Sequence, residues 1–468
     1  MNIRIAAFAL CAAVSLPTLG AAPAAAQTSP SVLVVGGTAA GVAAAVSAAR
    51  AGADVTLVAA RPQLGGILSD GMMDQWDLNV APDGADVQGG LFREMHTMLG
   101  DAFTPDAAAR AFAALVAGEP HIHLLLNERP IDVTTSAASD GRRVDAVQFS
   151  GARDVTIAAQ SIIDATDNGD VAALAGARYD LGRQDTGIDE RMQPVTLLYT
   201  LRGVDWQRVV DSYDPARFGP GGAIDVRAWG YGDLVHAYRP QSSDVLVPDL
   251  NFGREPDGEV TVNAIDVLDI DGRSDSDLAR ARTLTEREAP HLLAFLRSRI
   301  PGFENATIGR YASQVYVRET RHFAGLERLT ADDVWDGVIP SDTIGLSSYP
   351  MDLHPVTPTT PLAYAPIRHV YGIPFGTLVP RDLSNVLLAS PAISATHVAA
   401  GSARVIPSTV EEGEAAGIAA ALAVRDRVSF EQFAADREDI AALRDRLSAS
   451  GTDLAYRDPT RARVIARK

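Results

Sequence analysis

A short apolar strand that ends in glycine and passes at once into an alanine-rich helix constrains this chain more than any other feature. Ser31 to Gly37 reads SVLVVGG, a Val-rich run suited to a buried strand. Thr38 to Arg50 reads TAAGVAAAVSAAR, a helix that Gly52 ends, and Asp54 to Val58 is the next apolar strand. Strand, tight turn, helix and strand within about thirty residues is the context in which a glycine fingerprint holds a dinucleotide. Gly36 permits the sharp turn and Gly37 adds backbone freedom, while Gly41, with Ala40 and Ala44, lets the helix lie against the sheet. The helix start then offers the amides of Gly37, Thr38, Ala39, Ala40 and Gly41, and a positive dipole end, to a pyrophosphate. A purely structural βαβ turn has the same pattern.

The fingerprint departs from its ideal form at two places. Thr38 stands where the middle glycine belongs, and its hydroxyl is expected to donate to a phosphate. Ala59 ends the second strand, where an acid normally holds the ribose hydroxyls. Arg61, just beyond, is a candidate for phosphate contact or adenine stacking, or else a solvated loop residue. Gly65 and Gly66 form a second glycine pair a short loop away, and two such pairs favour a long ligand such as FAD over a mononucleotide.

The formal charge of −18 argues against a general nucleic-acid or anionic-membrane binder, since either needs a net basic footprint. Residues 1–26 read as a cleavable leader: a basic start around Arg4, an apolar core from Ile5 to Leu16, and Ala24-Ala25-Ala26 before Gln27. That core is too short for a permanent span. The leader predicts a periplasmic or secreted protein. The sole cysteine, Cys11, leaves with it, so the mature chain has no thiol, disulfide or cysteine-ligated metal. The sequence also lacks HExxH, GxSxG and P-loop patterns, and no histidine cluster has ligand spacing. No metal site is expected.

Several blocks in order carry a resemblance to a known family. GGTAAGVAAAVSAARAGADVTLV followed by LGG is similar to the start of FAD-dependent oxidoreductases built on a glutathione-reductase-type Rossmann domain. SIIDATDNGDVAALAGARY (Ser161 to Tyr179), VYVRETRHFAG (Val315 to Gly325) and SSYPMDLH (Ser347 to His354) resemble further segments of that family. NVLLASPAISATHVAAGSARVIPSTVEEGEAAGIAAALA (Asn385 to Ala423) resembles its closing flavin motif. The resemblance implies an α/β fold: a Rossmann-type FAD-binding domain, with a parallel sheet and a β-meander, carrying an inserted α+β substrate domain. It also implies FAD as cofactor, a small-molecule substrate and an unidentified electron acceptor. Pro130 is placed near adenine, Asp164 and Ala165 near the dinucleotide, and Ser402 and Arg404 near the flavin. Loop solvation or helix capping is the alternative for Asp164. Within the closing motif Ser390, Pro391 and Ala392 depart from the family's Gly, Arg, Cys, and Glu411, Glu412 and Glu414 replace apolar or amide residues. These departures motivate an alternative: a redox-inactive relative that has lost tight FAD binding.

The expected organisation is a nucleotide domain over residues 27–190 and 346–428, an insert over 191–345, and a helical segment over 429–468. A helix is expected over Asp106 to Val116, a strand over His121 to Asn127, and a meander over Ile131 to Ile157. In the insert, Val195 to Val204, Leu246 to Phe252 and Val260 to Val267 read as strands of a mixed sheet. The latter two join across Pro256-Asp257-Gly258, a hairpin signal. Ser274 to Arg299 reads as a helix opened by a Ser274/Asp277 capping box and interrupted at Pro290. Ser429 to Leu447 reads as one amphipathic helix.

For chemistry, hydride loss to a flavin wants a nearby base or fixed positive charge. His397, read as lying in a loop, and Arg318 and Arg321 are the catalytic candidates, and the helix beginning near Ser408 is expected to aim amides at the flavin. Arg318, Glu319 and Arg321 equally suit an interdomain ion network. Asp74, Trp76 and Asp77 are candidates for the substrate mouth.

Overall fold

Five strands form one parallel sheet in the order Val386–Leu388, Ser161–Asp164, Val32–Val35, Val55–Ala59, Ile122–Leu126. This computed structural model describes residues 31–456. The leader expected over residues 1–26 lies outside them. The first and last strands of the family resemblance thus meet in one sheet, separated only by Ser161–Asp164. The central strands are apolar runs buried along their whole length, as parallel strands covered on both faces require.

The fingerprint helix, Ala39–Arg50, is buried over eleven of its twelve residues. A helix covered on every side must present small side chains to its neighbours, which is what its alanines do. A Cβ at Gly413, on the long helix Ile406–Asp426, would lie 2.2 Å from the Ala40 carbonyl oxygen. The two helices touch backbone to backbone. The three unexpected glutamates sit on the same long helix and are fully buried. Glu411 accepts from the Gly89 and Leu346 amides (3.3 and 3.1 Å), and Glu414 accepts from the Leu91 amide and the Ser450 hydroxyl (3.0 and 2.6 Å). These two tie three distant segments to the helix. Both Glu412 oxygens have no partner, and burial pushes its carboxyl well above the usual range.

A three-stranded antiparallel meander, Glu128–Ala138, Gly141–Gly151 and Thr156–Ala158, follows the fifth sheet strand. The second body is built on a six-stranded sheet ordered Gly222–Ala223, Arg227–Gly230, Leu250–Arg254, Val260–Asn263, Tyr199–Arg202, Thr307–Tyr311. Every neighbouring pair runs antiparallel, so the expected mixed sheet is corrected. The hairpin across Pro256-Asp257-Gly258 forms. Alternation sorts its two faces: Phe252, Val260 and Val262 pack in a core with helix Asp275–Arg299, while Asn251, Gly253, Thr261 and Asn263 line a cavity.

Other local expectations are corrected. Helix Asp275–Arg299 runs unbroken through Pro290. Pro290 and Glu286, one turn back, both lie on the exposed face, so the carbonyl that loses its intrahelical donor is open to solvent. Ser274 caps this helix, but the Asp277 carboxylate accepts from the Asp271 amide instead of closing a capping box. Val195 to Val204 and Val260 to Val267 each split between two sheets. Ser429 to Leu447 becomes two helices, Phe430–Ala435 and Arg437–Ser450, because Asp436 turns extended and caps the second. Among the described residues no helix is long and apolar enough to cross a membrane.

Candidate active site

The turn after Val32–Val35 is held by exact fits between backbones. A Cβ at Gly36 would meet the Ala165 carbonyl oxygen at 2.2 Å, and one at Gly41 would meet the Gly36 carbonyl oxygen at 1.9 Å. Ala59 packs its methyl against this turn, 2.6 Å from where a Gly37 side chain would begin. The Thr38 hydroxyl donates to Ala165 O (3.1 Å) and accepts from the Gly41 amide (3.0 Å), so it caps the helix and is not the expected phosphate donor. What remain for a phosphate are the Ala39 and Ala40 amides, which have no acceptor within the helix. The second glycine pair is joined to this turn, since the Gly65 amide donates to Gly37 O at 2.7 Å.

A groove runs over this helix start, lined by Thr38, Ala39, Ala40 and Gly65 and by Gln314, Ser390, Pro391 and Arg404. Gln314 Oε1, Arg404 Nε and Ser408 Oγ, at or beside it, are buried without partners. Orphaned donors and acceptors along a groove above free helix amides fit an elongated polar dinucleotide such as FAD. Met73, Asp77, Tyr316 and Arg404 lie on the groove wall and also on the wall of a second cavity of about 650 Å³. The two spaces therefore share a boundary. The cavity is walled by the polar face of the six-stranded sheet and by the segment Tyr349 to His354.

One wall carries an alternating ladder of charges. Arg318 Nη1 lies 3.4 Å from Asp266 Oδ1, His354 Nδ1 2.6 Å from Asp266 Oδ2, His354 Nε2 3.6 Å from Asp352 Oδ2, and Arg404 Nη2 3.0 Å from Asp352 Oδ2. Burial and Arg318 push the His354 imidazolium down, but Asp266 and Asp352 outweigh them and raise it to about 9. Both carboxylates stay below their usual range, burial notwithstanding, because of these cations. Asp249, also on the cavity wall, is raised by burial to about 6, with His354 opposing. Asp74 is raised by burial, and by Glu255 nearby, to about 8. Two cavity carboxyls thus stand on either side of neutrality.

The structure separates the three catalytic candidates. Arg318 lines the cavity and also bonds Pro194 O and Thr196 Oγ1 (2.9 and 2.8 Å). Arg321 turns the other way, to Asn168 O and Asp170 Oδ1 (2.8 and 3.0 Å), and does not join it. His397 is the first residue of helix His397–Ala403, capped by Thr396, and is not in a loop. Its Nδ1 meets Glu319 Oε1 at 2.7 Å, the same oxygen that His322 Nε2 meets at 2.7 Å. Burial alone would raise Glu319, yet the two imidazoles hold it down at about 2. His397 lines neither the groove nor the cavity.

The cofactor candidates also divide. Ser402 is buried between Tyr371 Oη (2.8 Å) and Tyr349 O (2.5 Å), away from the groove. Asp164 spends its carboxylate on Thr166 (amide and hydroxyl) and on the Ala172 amide, which is the capping alternative. Pro130 is a buried strand residue opposite Phe149. Arg61 stands near Asp167, a groove residue whose carboxyl is raised by burial and drawn back down by Arg61. The long helix expected to begin near Ser408 starts at Ile406. Asp74, Trp76 and Asp77 all line the cavity. His354, Asp352, Asp249 and Tyr349 were not singled out. Tyr349, Asp352 and His354 belong to the SSYPMDLH block, whereas Asp249 lies just before strand Leu250–Arg254, outside every family-like block.

No curated protein matches the chain. Similar solved structures include the p-nitrophenol 4-monooxygenase PnpA from Pseudomonas putida DLL-E4, 12% identical over 93% of this chain and 92% of that one, TM-score 0.45. Others are a geranylgeranyl bacteriochlorophyll reductase-like protein from Thermoplasma acidophilum (12%, 90% and 83%, TM-score 0.42) and the flavin-dependent brominase Bmp2 (9%, 90% and 83%, TM-score 0.42). The family model described as FAD dependent oxidoreductase matches residues 31–447, and the chain belongs to that family.

Proposed function

We propose that this chain is an exported FAD-dependent oxidoreductase that oxidises a small, hydroxyl-bearing substrate held in the 650 Å³ cavity. The observation that carries the reading is the wall shared by groove and cavity at Met73, Asp77, Tyr316 and Arg404. The cavity sets Asn251, Asn263 and Asp249 beside the rings of Trp229 and Tyr364, a mixture of hydrogen-bonding groups and aromatic faces suited to a neutral polyol or sugar. Export rests on the leader pattern of residues 1–26.

Bound FAD supplies the two-electron acceptor. It would lie along Thr38 to Ala40 and Gly65 and reach Arg404. Asp249, ionised at neutral pH, takes the hydroxyl proton of the substrate. His354, Arg318 and Arg404 hold positive charge at the wall and lower the cost of negative charge that develops beside them. Arg321 and the Glu319-bridged pair His322 and His397 position the Arg318 segment from behind.

Purified protein loaded with FAD should be bleached anaerobically by at least one member of a panel of sugars, polyols and small alcohols. If amines or thiols bleach it and no hydroxyl compound does, the substrate class is wrong.

A further inference from the structure

The face of the six-stranded sheet that walls the cavity carries a polar line that the oxidation itself does not use. Asp74 reaches this sheet from the loop after Gly65-Gly66. Its carboxyl lies over Gly253, where an added Cβ would be 2.1 Å from both carboxyl oxygens. Only glycine leaves that room. Asp74 is 3% exposed, lines the cavity, and its Oδ2 is buried without a partner. Thr261 is the strand partner directly opposite Gly253, so its side chain is the carboxyl's neighbour on the same face. The Thr261 hydroxyl donates to Glu255 Oε1 at 3.1 Å, and Glu255 is fully buried. Glu255 Oε2 lies 3.0 Å from Arg310 Nη2, and the Arg310 side chain is about one-third open to solvent (38%). Glu259 stands beside Arg310 at 3.7 Å, and Asp257 adds its charge to Glu255 from the hairpin turn.

We infer that Asp74, Thr261 and Glu255 form a proton relay that connects the substrate cavity to solvent at Arg310. The inference rests on the oxidative reading of the cavity. Converting CH–OH to C=O releases two electrons with the carbon-bound hydrogen to the cofactor and leaves the hydroxyl proton on Asp249. Asp249 must shed that proton before the next turnover. In the relay, protonated Asp74 passes its proton through the Thr261 hydroxyl to ionised Glu255, and Asp74 takes up in its place the proton that Asp249 hands to cavity water. Glu255 then releases its proton at the Arg310 end. No other reactant is needed. The two carboxyls suit the task, since burial, with Glu255 adding to it, holds Asp74 at about 8, and burial, opposed by Arg310, holds Glu255 at about 7. Their protons are within easy exchange of one another at neutral pH.

The experiment uses the full chain loaded with FAD and needs no substrate. Infrared difference spectra over a pH titration should show a protonated-carboxyl band that Asp74→Asn removes. In Glu255→Gln that band should titrate about one pH unit lower, because a neighbouring negative charge is gone. Flash photoreduction of the bound flavin, followed with a pH-indicator dye in bulk solution, should show proton exchange slowed about tenfold or more in Glu255→Gln. An unshifted band or an unchanged exchange rate in Glu255→Gln overturns the relay. Should that variant fail to fold, Thr261→Val carries the exchange measurement, and an unchanged rate there has the same consequence. Failure of every hydroxyl compound to bleach the flavin overturns the substrate reading alone, and is read separately from both results.

Discussion

Gly413 and Ala40 touch across two helices so closely that any side chain at position 413 would begin 2.2 Å from the Ala40 carbonyl oxygen. The same holds one turn on, where a Cβ at Gly417 would lie 2.3 Å from the Ala44 carbonyl oxygen. The end of the chain thereby fixes the position of the first helix, whose amides face the groove. Gly413→Ala should lower stability by about 2–4 kcal/mol, since neither backbone can yield without moving its helix. Thermal denaturation with and without FAD checks this, and bound flavin per chain should fall. Gly232→Ala, with nothing within 4 Å of the added Cβ, is the control and should change neither.

Asp249 sets the acid limb of turnover in the proposed mechanism. With its carboxyl at about 6, kcat/KM for a bleaching substrate should rise from low pH and level off above that value. Asp249→Asn should lose about a hundredfold or more in kcat/KM and also lose the limb. A variant that keeps the limb would assign it to another group.

His354 makes stability depend on pH in a definite direction. Its folded value of about 9 lies above the unfolded value, so its contribution is fully present below about pH 6.5 and is lost as pH rises through 9. The contribution is no more than about 3 kcal/mol. Urea denaturation at a series of pH values should show wild type losing stability over this window more steeply than His354→Gln. Equal slopes would mean that His354 is not the titrating group.

Glu319 is the shared acceptor of His322 and His397, and Glu319→Gln should cost about 2–4 kcal/mol by leaving two buried imidazoles without their carboxylate. His397→Ala should change kcat by less than about tenfold, as expected of a residue that acts from behind the cavity wall. Urea melts and steady-state rates on the two variants separate these roles. A hundredfold loss in kcat for His397→Ala would return that residue to the reacting atoms.

What was legible in the sequence was local. Strand, turn and helix around Gly36 and Gly41 are encoded by neighbours in the chain, and the 256–258 hairpin by its own turn residues. The role of the Thr38 hydroxyl was hidden because its second partner, Ala165, is brought in by a parallel strand from 127 positions away. The charge ladder was hidden for a like reason: Asp266, Arg318, Asp352 and Arg404 come from four separate segments, and only the fold places His354 among them. Asp74 was visible as a carboxylate near aromatics, but its hold on the sheet depends on the absence of a side chain at Gly253. Pro290 is the opposite case: its sequence signature is a helix break, yet its exposure to solvent lets the helix continue through it.

The wall shared by groove and cavity has a consequence for any attempt to re-engineer this protein. Met73 and Asp77 come from the loop after the second glycine pair, Tyr316 from the segment after the last strand of the antiparallel sheet, and Arg404 from the end of helix His397–Ala403. Cofactor seat and substrate pocket are therefore not interchangeable modules. Grafting a foreign substrate body onto this nucleotide sheet would replace Tyr316 while leaving its partner Arg404 behind, 2.6 Å from an oxygen that is no longer there. An exchanged substrate body therefore has to bring its own partner for Arg404.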